Sequence, residues 1–182
     1  MLQPVFVPFP ELKTDRLLLR RISQDDVPEI FFLRSNESVL QFIGKEPATT
    51  LKDAQDFIQM IDDGIKKNET IMWGIAIKEN PAKLIGTICY WSMQKENYRA
   101  EIGYMLHPDH WRKGIMKEAI LKIIEYGFRS MKLHSIEARI HADNAVSAAI
   151  LEATGFVKEG CLKEEFCFGD KFLDTIIYSR LQ

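Results

Sequence analysis

Cysteine is scarce in this chain of 182 residues: there are three (Cys89, Cys161, Cys167), an odd number without CxxC spacing. So few thiols support neither a disulfide framework nor a cysteine metal site, and they read as free thiols in a reducing cytoplasm. An excess of either charge is lacking too, since 24 Lys and Arg against 26 Asp and Glu leave a net charge of −2. That balance argues against nucleic-acid binding by bulk attraction to phosphate. Unbroken apolar runs such as Ile75–Ile77 are a few residues long, far short of a membrane-spanning helix. The opening Met1-Leu2-Gln3-Pro4 has no basic n-region, and its prolines interrupt any h-region, so no signal peptide is expected. No repeat, low-complexity tract or Gly/Ser-rich linker divides the chain, which predicts one domain over residues 1–182. What is present is apolar: 46% of residues, including 11 Phe, 5 Tyr and 3 Trp, which excludes disorder. A chain of this length buries roughly 70% of its unfolded surface.

Periodicity then places the elements. Pro4, Pro8 and Pro10 make an extended lead-in, Arg16–Arg21 reads as a first strand, and Pro28 fits the first turn of a helix carrying Val27, Ile30, Phe31 and Arg34. A short helical piece is expected at Val39–Ile43. Thr50 and Asp53 form a capping-box pattern before a helix with Ala54, Phe57, Ile58, Ile61 and Ile65 at helical spacing. Strands are predicted at Ile71–Ile77, Lys83–Trp91 and Arg99–Leu106, the first two joined at Glu79-Asn80-Pro81. A helix with Met116, Ile120, Ile123, Ile124 and Gly127 on one face follows the loop His110–Gly114, and Ser135–His141 alternates as a strand. Asp143 or Asn144 caps a further helix, with Val146, Ala149, Ile150 and Ala153 expected inward and Gly155 ending it. Two last strands, Phe156 to about Phe168 and Lys171–Ser179, meet at Gly169-Asp170. The order is neither strict βαβ nor all-β. It predicts an α/β fold of the α+β type, a mixed, mostly antiparallel sheet flanked by helices.

Two segments could carry chemistry. In Trp111-Arg112-Lys113-Gly114-Ile115-Met116 a glycine loop opens a helix, where unpaired N–H groups and the macrodipole favour a pyrophosphate. Arg112 and Lys113 add charge, and Gly114 leaves the backbone open to an anion. A solvated basic turn would look the same, and the loop is neither a Walker loop nor GxGxxG. In the second, Asn144-Ala145-Val146-Ser147 precedes Leu151-Glu152-Ala153-Thr154-Gly155-Phe156. Capping alone would explain its Asn and Ser, and no GxSxG elbow surrounds Ser147. Glu101 interrupts an apolar strand (Ala100, Ile102, Tyr104), a place where Glu is disfavoured, which marks it as a candidate functional residue. His107 and His110 lack further ligands at zinc-like spacing, so no metal is expected. Cys161 and Cys167 are read as packing thiols.

Together these segments resemble the GNAT superfamily of acetyl-CoA-dependent N-acetyltransferases. Its (Q/R)xxGx(G/A) phosphate loop corresponds to Trp111–Met116, and its Asn-x-x-Ser…Leu-Glu-x-x-Gly-Phe segment to Asn144–Phe156. Leu12–Arg20 and Ala100–Tyr104 are similar to the ribosomal-protein alanine N-acetyltransferase (RimJ/RimL-like) branch. The resemblance spans a core of about 12–177. Trp111 and Met116 depart from the family pattern, and Met116 puts bulk where the family often needs room. No tyrosine occupies the Asn144–Ala153 segment to act as general acid.

The resemblance implies a set of roles. Glu101 would deprotonate the acceptor amine, directly or through water, and Ser147 would donate a proton to the CoA sulfur. A main-chain N–H at Met105 or Leu106 would stabilise the oxyanion. Pantetheine would lie along Tyr104–His107 and bond to Asn144, and the pyrophosphate would sit over Arg112, Lys113, Gly114, Ile115 and Met116. Acetyl-CoA is the only co-substrate implied. The acceptor implied is a primary amine, foremost a protein α-amine such as a ribosomal-protein N-terminus. A polyamine, amino acid or antibiotic is the alternative, as is a module that binds acetyl-CoA without turnover. Asp25, Asp26, Glu29, Glu37, Glu46, Glu164, Glu165 and Asp170 lie in segments that build the family's acceptor pocket, and an acidic mouth would favour a cation. A homodimer is compatible with the resemblance.

Overall fold

A computed structural model describes residues 1–182. Two strands, β1 (Leu12–Lys13) and β2 (Leu17–Arg21), lead through a 3-10 turn (Gln24–Asp26) into α1 (Val27–Ser35), α2 (Glu37–Leu40) and α3 (Leu51–Lys66). Strands β3 (Ile71–Ile77), β4 (Asn80–Gln94) and β5 (Arg99–Leu106) form a meander. Then come α4 (Ile115–Arg129), β6 (Ser135–His141), α5 (Ala145–Ala153), β7 (Val157–Phe168) and β8 (Lys171–Leu181). One sheet holds all eight strands in the order β1-β2-β3-β4-β5-β6-β8-β7. Every neighbouring pair is antiparallel except β5–β6. The expected α+β architecture, mixed and mostly antiparallel, is the one observed.

Local chemistry explains the element ends. Thr50 and Asp53 close a reciprocal capping box on α3, with Asp53 accepting from the Thr50 N–H at 2.9 Å. The buried Asp26 accepts a bidentate pair from Arg20 at 2.8 and 2.6 Å and bonds the Ser23 N–H, so it braces the turn before α1. Gly155, at φ +84°, ends α5. Helix α4 buries Ile115, Met116, Ala119, Ile120, Ile123, Ile124 and Gly127, each isoleucine worth about 1.5–3 kcal/mol of transfer free energy. Gly127 leaves room for the Tyr90 hydroxyl, which donates to the Ile123 carbonyl at 2.7 Å and ties α4 to β4.

Several expectations are corrected. A two-residue strand precedes the predicted first strand, because Leu12 and Lys13 pair with Leu19 and Leu18. The β3–β4 turn sits at Lys78-Glu79, and β4 runs from Asn80 to Gln94, longer at both ends. The short helix is Glu37–Leu40, started by the Asn36 side chain accepting from the Val39 N–H. On α5 the inward stripe is Ser147, Ala148, Ile150 and Leu151, so of the residues expected inward Ile150 packs against the core while Val146, at 70% exposed, Ala149 and Ala153 face outward. Cys161 and Cys167 are exposed on the outer hairpin and do not serve as packing thiols; Cys89 is the buried one.

Candidate active site

The parallel pairing of β5 with β6 lasts three residues, Arg99, Ala100 and Glu101 against Ser135, Ile136 and Glu137. Beyond it β5 continues to Leu106 and β6 to His141 without pairing to each other, so a wedge opens in the sheet. The ladders fix which main-chain groups line it. The His107 N–H donates to the Ile85 carbonyl at 2.8 Å, continuing the register in which Met105 faces Thr87. In an antiparallel ladder the alternate residues point away from the partner. The N–H groups of Tyr104 and Leu106 therefore point into the wedge, while that of Met105 points to β4. Of the two oxyanion donors expected, Leu106 has the required direction and Met105 does not; Tyr104 is an addition. Across the gap, the Ala142 N–H bonds the Asp174 carbonyl, so the same alternation turns the main chain of Arg139 and His141 toward the opening.

At the C-terminal end of β5 the wedge meets α4. The Leu106 carbonyl accepts from the Trp111 indole Nε1 at 2.8 Å, so Trp111 pins the loop to the strand. His107 stacks on Phe32 with ring centroids 4.2 Å apart, and its Nδ1 accepts from the Asp109 N–H at 3.2 Å. Both the N–H and the side chain of His107 thus have partners within the protein. Arg112 and Gly114 adopt left-handed backbone at φ +59° and +72°, which turns the chain into the start of α4. The first-turn N–H groups have no helical acceptor. Arg112 and Lys113 are exposed beside them, whereas the Met116 side chain is buried in the core, so its bulk stays out of the loop.

Sequence reading missed one contributor here. Arg16 Nη1 donates to the Lys113 carbonyl at 3.0 Å, bringing a third cation to the loop. Glu118 holds Arg16 in place, accepting from its N–H at 3.0 Å and its Nε at 2.7 Å, and accepts from the Thr14 hydroxyl as well. The signal was the Thr14-Asp15-Arg16 segment, noticed as part of the resemblance without a role.

The other end of the wedge opens on a cavity of about 340 Å³. Its walls are Glu101 and Trp91 from the meander, Arg139 and His141 from β6, Phe166 and Phe168 from the hairpin, and the Gln41–Lys45 loop. Pleating puts Glu101 on the same face as its cross-strand neighbour Trp91. Burial raises the Glu101 carboxyl to about 7, and the like charge of Glu137 adds to this while Arg139 opposes it. A carboxyl poised near neutrality can take a proton from an amine at working pH. Of the eight acidic residues in the segments that build the family's acceptor pocket, Glu165 alone lines the cavity, and it is paired with Arg139. With Lys45, Arg139 and His141 also on the walls, the charge is mixed and not simply acidic.

Helix α5 stands on the opposite face, where Tyr178 donates to Glu152 at 3.0 Å. Asn144 is its N-cap, its Oδ1 accepting from the Ser147 N–H at 3.0 Å. The capping role considered from sequence is real; it uses Oδ1 and leaves the Nδ2 hydrogens for another acceptor.

Comparison with known proteins identifies the family. Residues 16–157 match the family described as acetyltransferase (GNAT) domain. An uncharacterized N-acetyltransferase, YoaA, of Bacillus subtilis (strain 168) is 37% identical over 171 residues, 94% of this chain and 96% of that one. Among solved structures, the ribosomal L7/L12 alpha-N-protein acetyltransferase RimL in complex with coenzyme A superposes with a TM-score of 0.86 at 21% identity, covering 94% and 98% of the two chains. Spermidine N-acetyltransferase from Vibrio cholerae, in complex with CoA and spermine, gives 0.82 at 24% identity over 93% and 97%. The chain belongs to the GNAT acetyltransferase family, and it is an acetyl-CoA-dependent N-acetyltransferase.

Proposed function

We propose that this acetyltransferase modifies the N-terminal α-amine of a protein, in the manner of the ribosomal-protein branch, in a reducing cytoplasm. The observation that carries the reading is the wedge beyond Glu101, which joins the α4 N-terminus to a cavity holding a near-neutral carboxyl. Pyrophosphate fits the free N–H groups from Gly114 to Met116 together with Arg112, Lys113 and Arg16. Pantetheine amides fit the unpaired main chain of Tyr104, the N–H of Leu106 (whose carbonyl is taken by Trp111) and the Asn144 Nδ2, as an added strand would.

The steps follow from that placement. Glu101 takes the proton of the amine, directly or through one water, and the nitrogen attacks the thioester carbonyl. The oxyanion that develops is met by the N–H of Leu106 or Tyr104. The carbon–sulfur bond then breaks, and the Ser147 hydroxyl stabilises the departing sulfur. None of these steps requires a metal. Phe166 and Phe168, 37% and 39% exposed at the cavity rim, offer an apolar shelf to the residues that follow an N-terminus. The cavity size also favours a second reading, a small amine such as a polyamine, since about 340 Å³ is within the range for small-ligand sites.

Titration of acetyl-CoA, with ATP and the Gly114→Glu variant as controls, tests the co-substrate site. Free-thiol release in the presence of N-terminal peptides and of polyamines tests the acceptor. Turnover with peptides and none with polyamines supports the first reading; the reverse replaces it with the second. Micromolar acetyl-CoA binding without turnover on any amine would indicate a binding module and sink both.

A further inference from the structure

We infer that Tyr104 is a positioning residue for the acetyl transfer: its hydroxyl, unpartnered in the free protein, bonds the Ser147 hydroxyl once acetyl-CoA is bound and aims that donor at the departing sulfur. The inference rests on the role proposed above for Ser147. Three buried side-chain polar atoms in the molecule have no hydrogen-bond partner, and the Tyr104 hydroxyl is one of them. A buried hydroxyl without a partner forfeits its hydration, so its persistence calls for a reason. Its polar neighbour is Ser147, which lowers the phenol's pKa by less than burial raises it, leaving it at about 12. The phenol thus stays protonated, and a donor, at any working pH.

Geometry places the pair where the sulfur must leave. Tyr104 follows Glu101 by three residues, so pleating sends the two side chains to opposite faces of β5. Glu101 stands with Trp91 over the acceptor cavity. Tyr104 shares its face with its neighbour Ile88 and with Tyr90, whose hydroxyl reaches α4, and this is the face on which α5 stands. The amine is therefore deprotonated from one side of the sheet and the thiolate received on the other. The Asn144 cap is made to the Ser147 N–H, so the Ser147 hydroxyl is not used in capping. Helix α5 has no tyrosine, and β5 delivers a phenol to the same helix from across the wedge.

The bookkeeping of atoms is simple. The amine nitrogen bonds the carbonyl carbon and its proton passes to Glu101. When the tetrahedral centre collapses the carbon–sulfur bond breaks and its electron pair stays on sulfur. Ser147 O–H donates to that thiolate while its Oγ accepts from Tyr104 O–H, each bond polarising the next. No proton leaves Tyr104, so none has to be restored.

The test compares Tyr104→Phe, Ser147→Ala and the double variant by kcat, KM for acetyl-CoA and Tm. Ser147→Ala is expected to lower kcat about tenfold, and Tyr104→Phe about fivefold, the range for losing one hydrogen bond in the transition state. Tyr104→Phe should leave KM for acetyl-CoA within about twofold and Tm unchanged or raised, since it removes an unpartnered buried hydroxyl. In the Ser147→Ala background it should have no further effect on kcat. A Tyr104→Phe enzyme with full kcat beside an impaired Ser147→Ala enzyme overturns this inference alone. Additive losses, or a loss of kcat that follows a fall in Tm, overturn it as well. Silence of Ser147→Ala overturns both this inference and the role of Ser147 on which it rests.

Discussion

The two ends of the wedge are built from different materials. The end that meets α4 is rooted in the core: Ile115 and Met116 are buried, Trp111 is bonded to the Leu106 carbonyl, and Arg16, just before β2, braces the loop with Glu118 of α4. The end proposed for the amine is walled by an outer hairpin whose strand β7 is exposed along almost its whole length and slips register twice against β8. On the proposed reading the first end meets an invariant group, a diphosphate, with backbone donors fixed by the fold. The second meets the variable partner with side chains on a segment that carries little of the core. Affinity for the co-substrate and choice of acceptor are thus separable.

Glu101 lies at the junction, and replacing it gives the largest expected effect. Glu101→Gln should lower kcat about 100- to 1,000-fold, the range for a general base, with acetyl-CoA affinity unchanged by calorimetry. In the unaltered enzyme kcat/KM should rise with pH through about 7, because only the ionised carboxylate accepts a proton. That limb should vanish in the variant, and an unchanged profile would mean that another group is the base. Stability should move the other way. The folded carboxyl is raised above its ordinary 4.5, so its contribution to stability is present below that value and is lost as pH rises toward about 7. Glu101→Gln should therefore raise Tm more at pH 8 than at pH 5.

The second effect belongs to the core-rooted end. Gly114→Glu forces a left-handed residue to carry a side chain and sets a carboxylate where the diphosphate is proposed to bind. About 3 kcal/mol of combined strain and repulsion would weaken acetyl-CoA binding roughly 100-fold. Should amine KM change equally, the two ends are not separable.

Legibility in the sequence follows the same division. The strands Ile71–Ile77, Arg99–Leu106 and Ser135–His141 were readable to the residue, because turns flank a continuous apolar run in the first and apolar residues alternate in the last. The helix beyond Gly114 was readable because its apolar face is continuous. What could not be read is where two strands stop pairing, since nothing in β5 or β6 announces that their ladder ends at Glu101. That termination decides which main-chain groups face the wedge, and so why Tyr104 belongs with Leu106 and Met105 does not. Helix α5 misled for a different reason: apolar residues stand on all its sides, so composition leaves the phase of its buried stripe open. Which acidic residues reach the cavity was not legible either, because charges such as Asp26 are engaged by local braces that a linear reading does not see.

A smaller effect should come from Trp111→Phe, which keeps the ring but removes the donor to Leu106. One hydrogen bond is worth about 1 kcal/mol, so acetyl-CoA affinity should fall about fivefold, with no change in amine KM. Equal affinity in the variant would show that the loop is held by Arg16 and Glu118 without Trp111.

The smallest effect sharpens the other end. Phe166 packs on the Gly44 backbone, so closely that a Cβ there would lie 2.5 Å from the ring, and it stacks with Phe168 at 6.4 Å. Through these contacts the Gln41–Lys45 loop and the hairpin form one wall. Phe166→Ala would remove apolar contact from a half-exposed ring, which limits the loss to about 1 kcal/mol of acceptor binding. Amine KM should then rise about threefold to fivefold with kcat, acetyl-CoA affinity and Tm nearly unchanged. If a peptide acceptor loses more than a polyamine does, the aromatic wall supports the residues behind the amine, and the protein N-terminus reading gains. Equal losses for both would leave the wall touching only the amine itself, and the small-molecule reading would take its place.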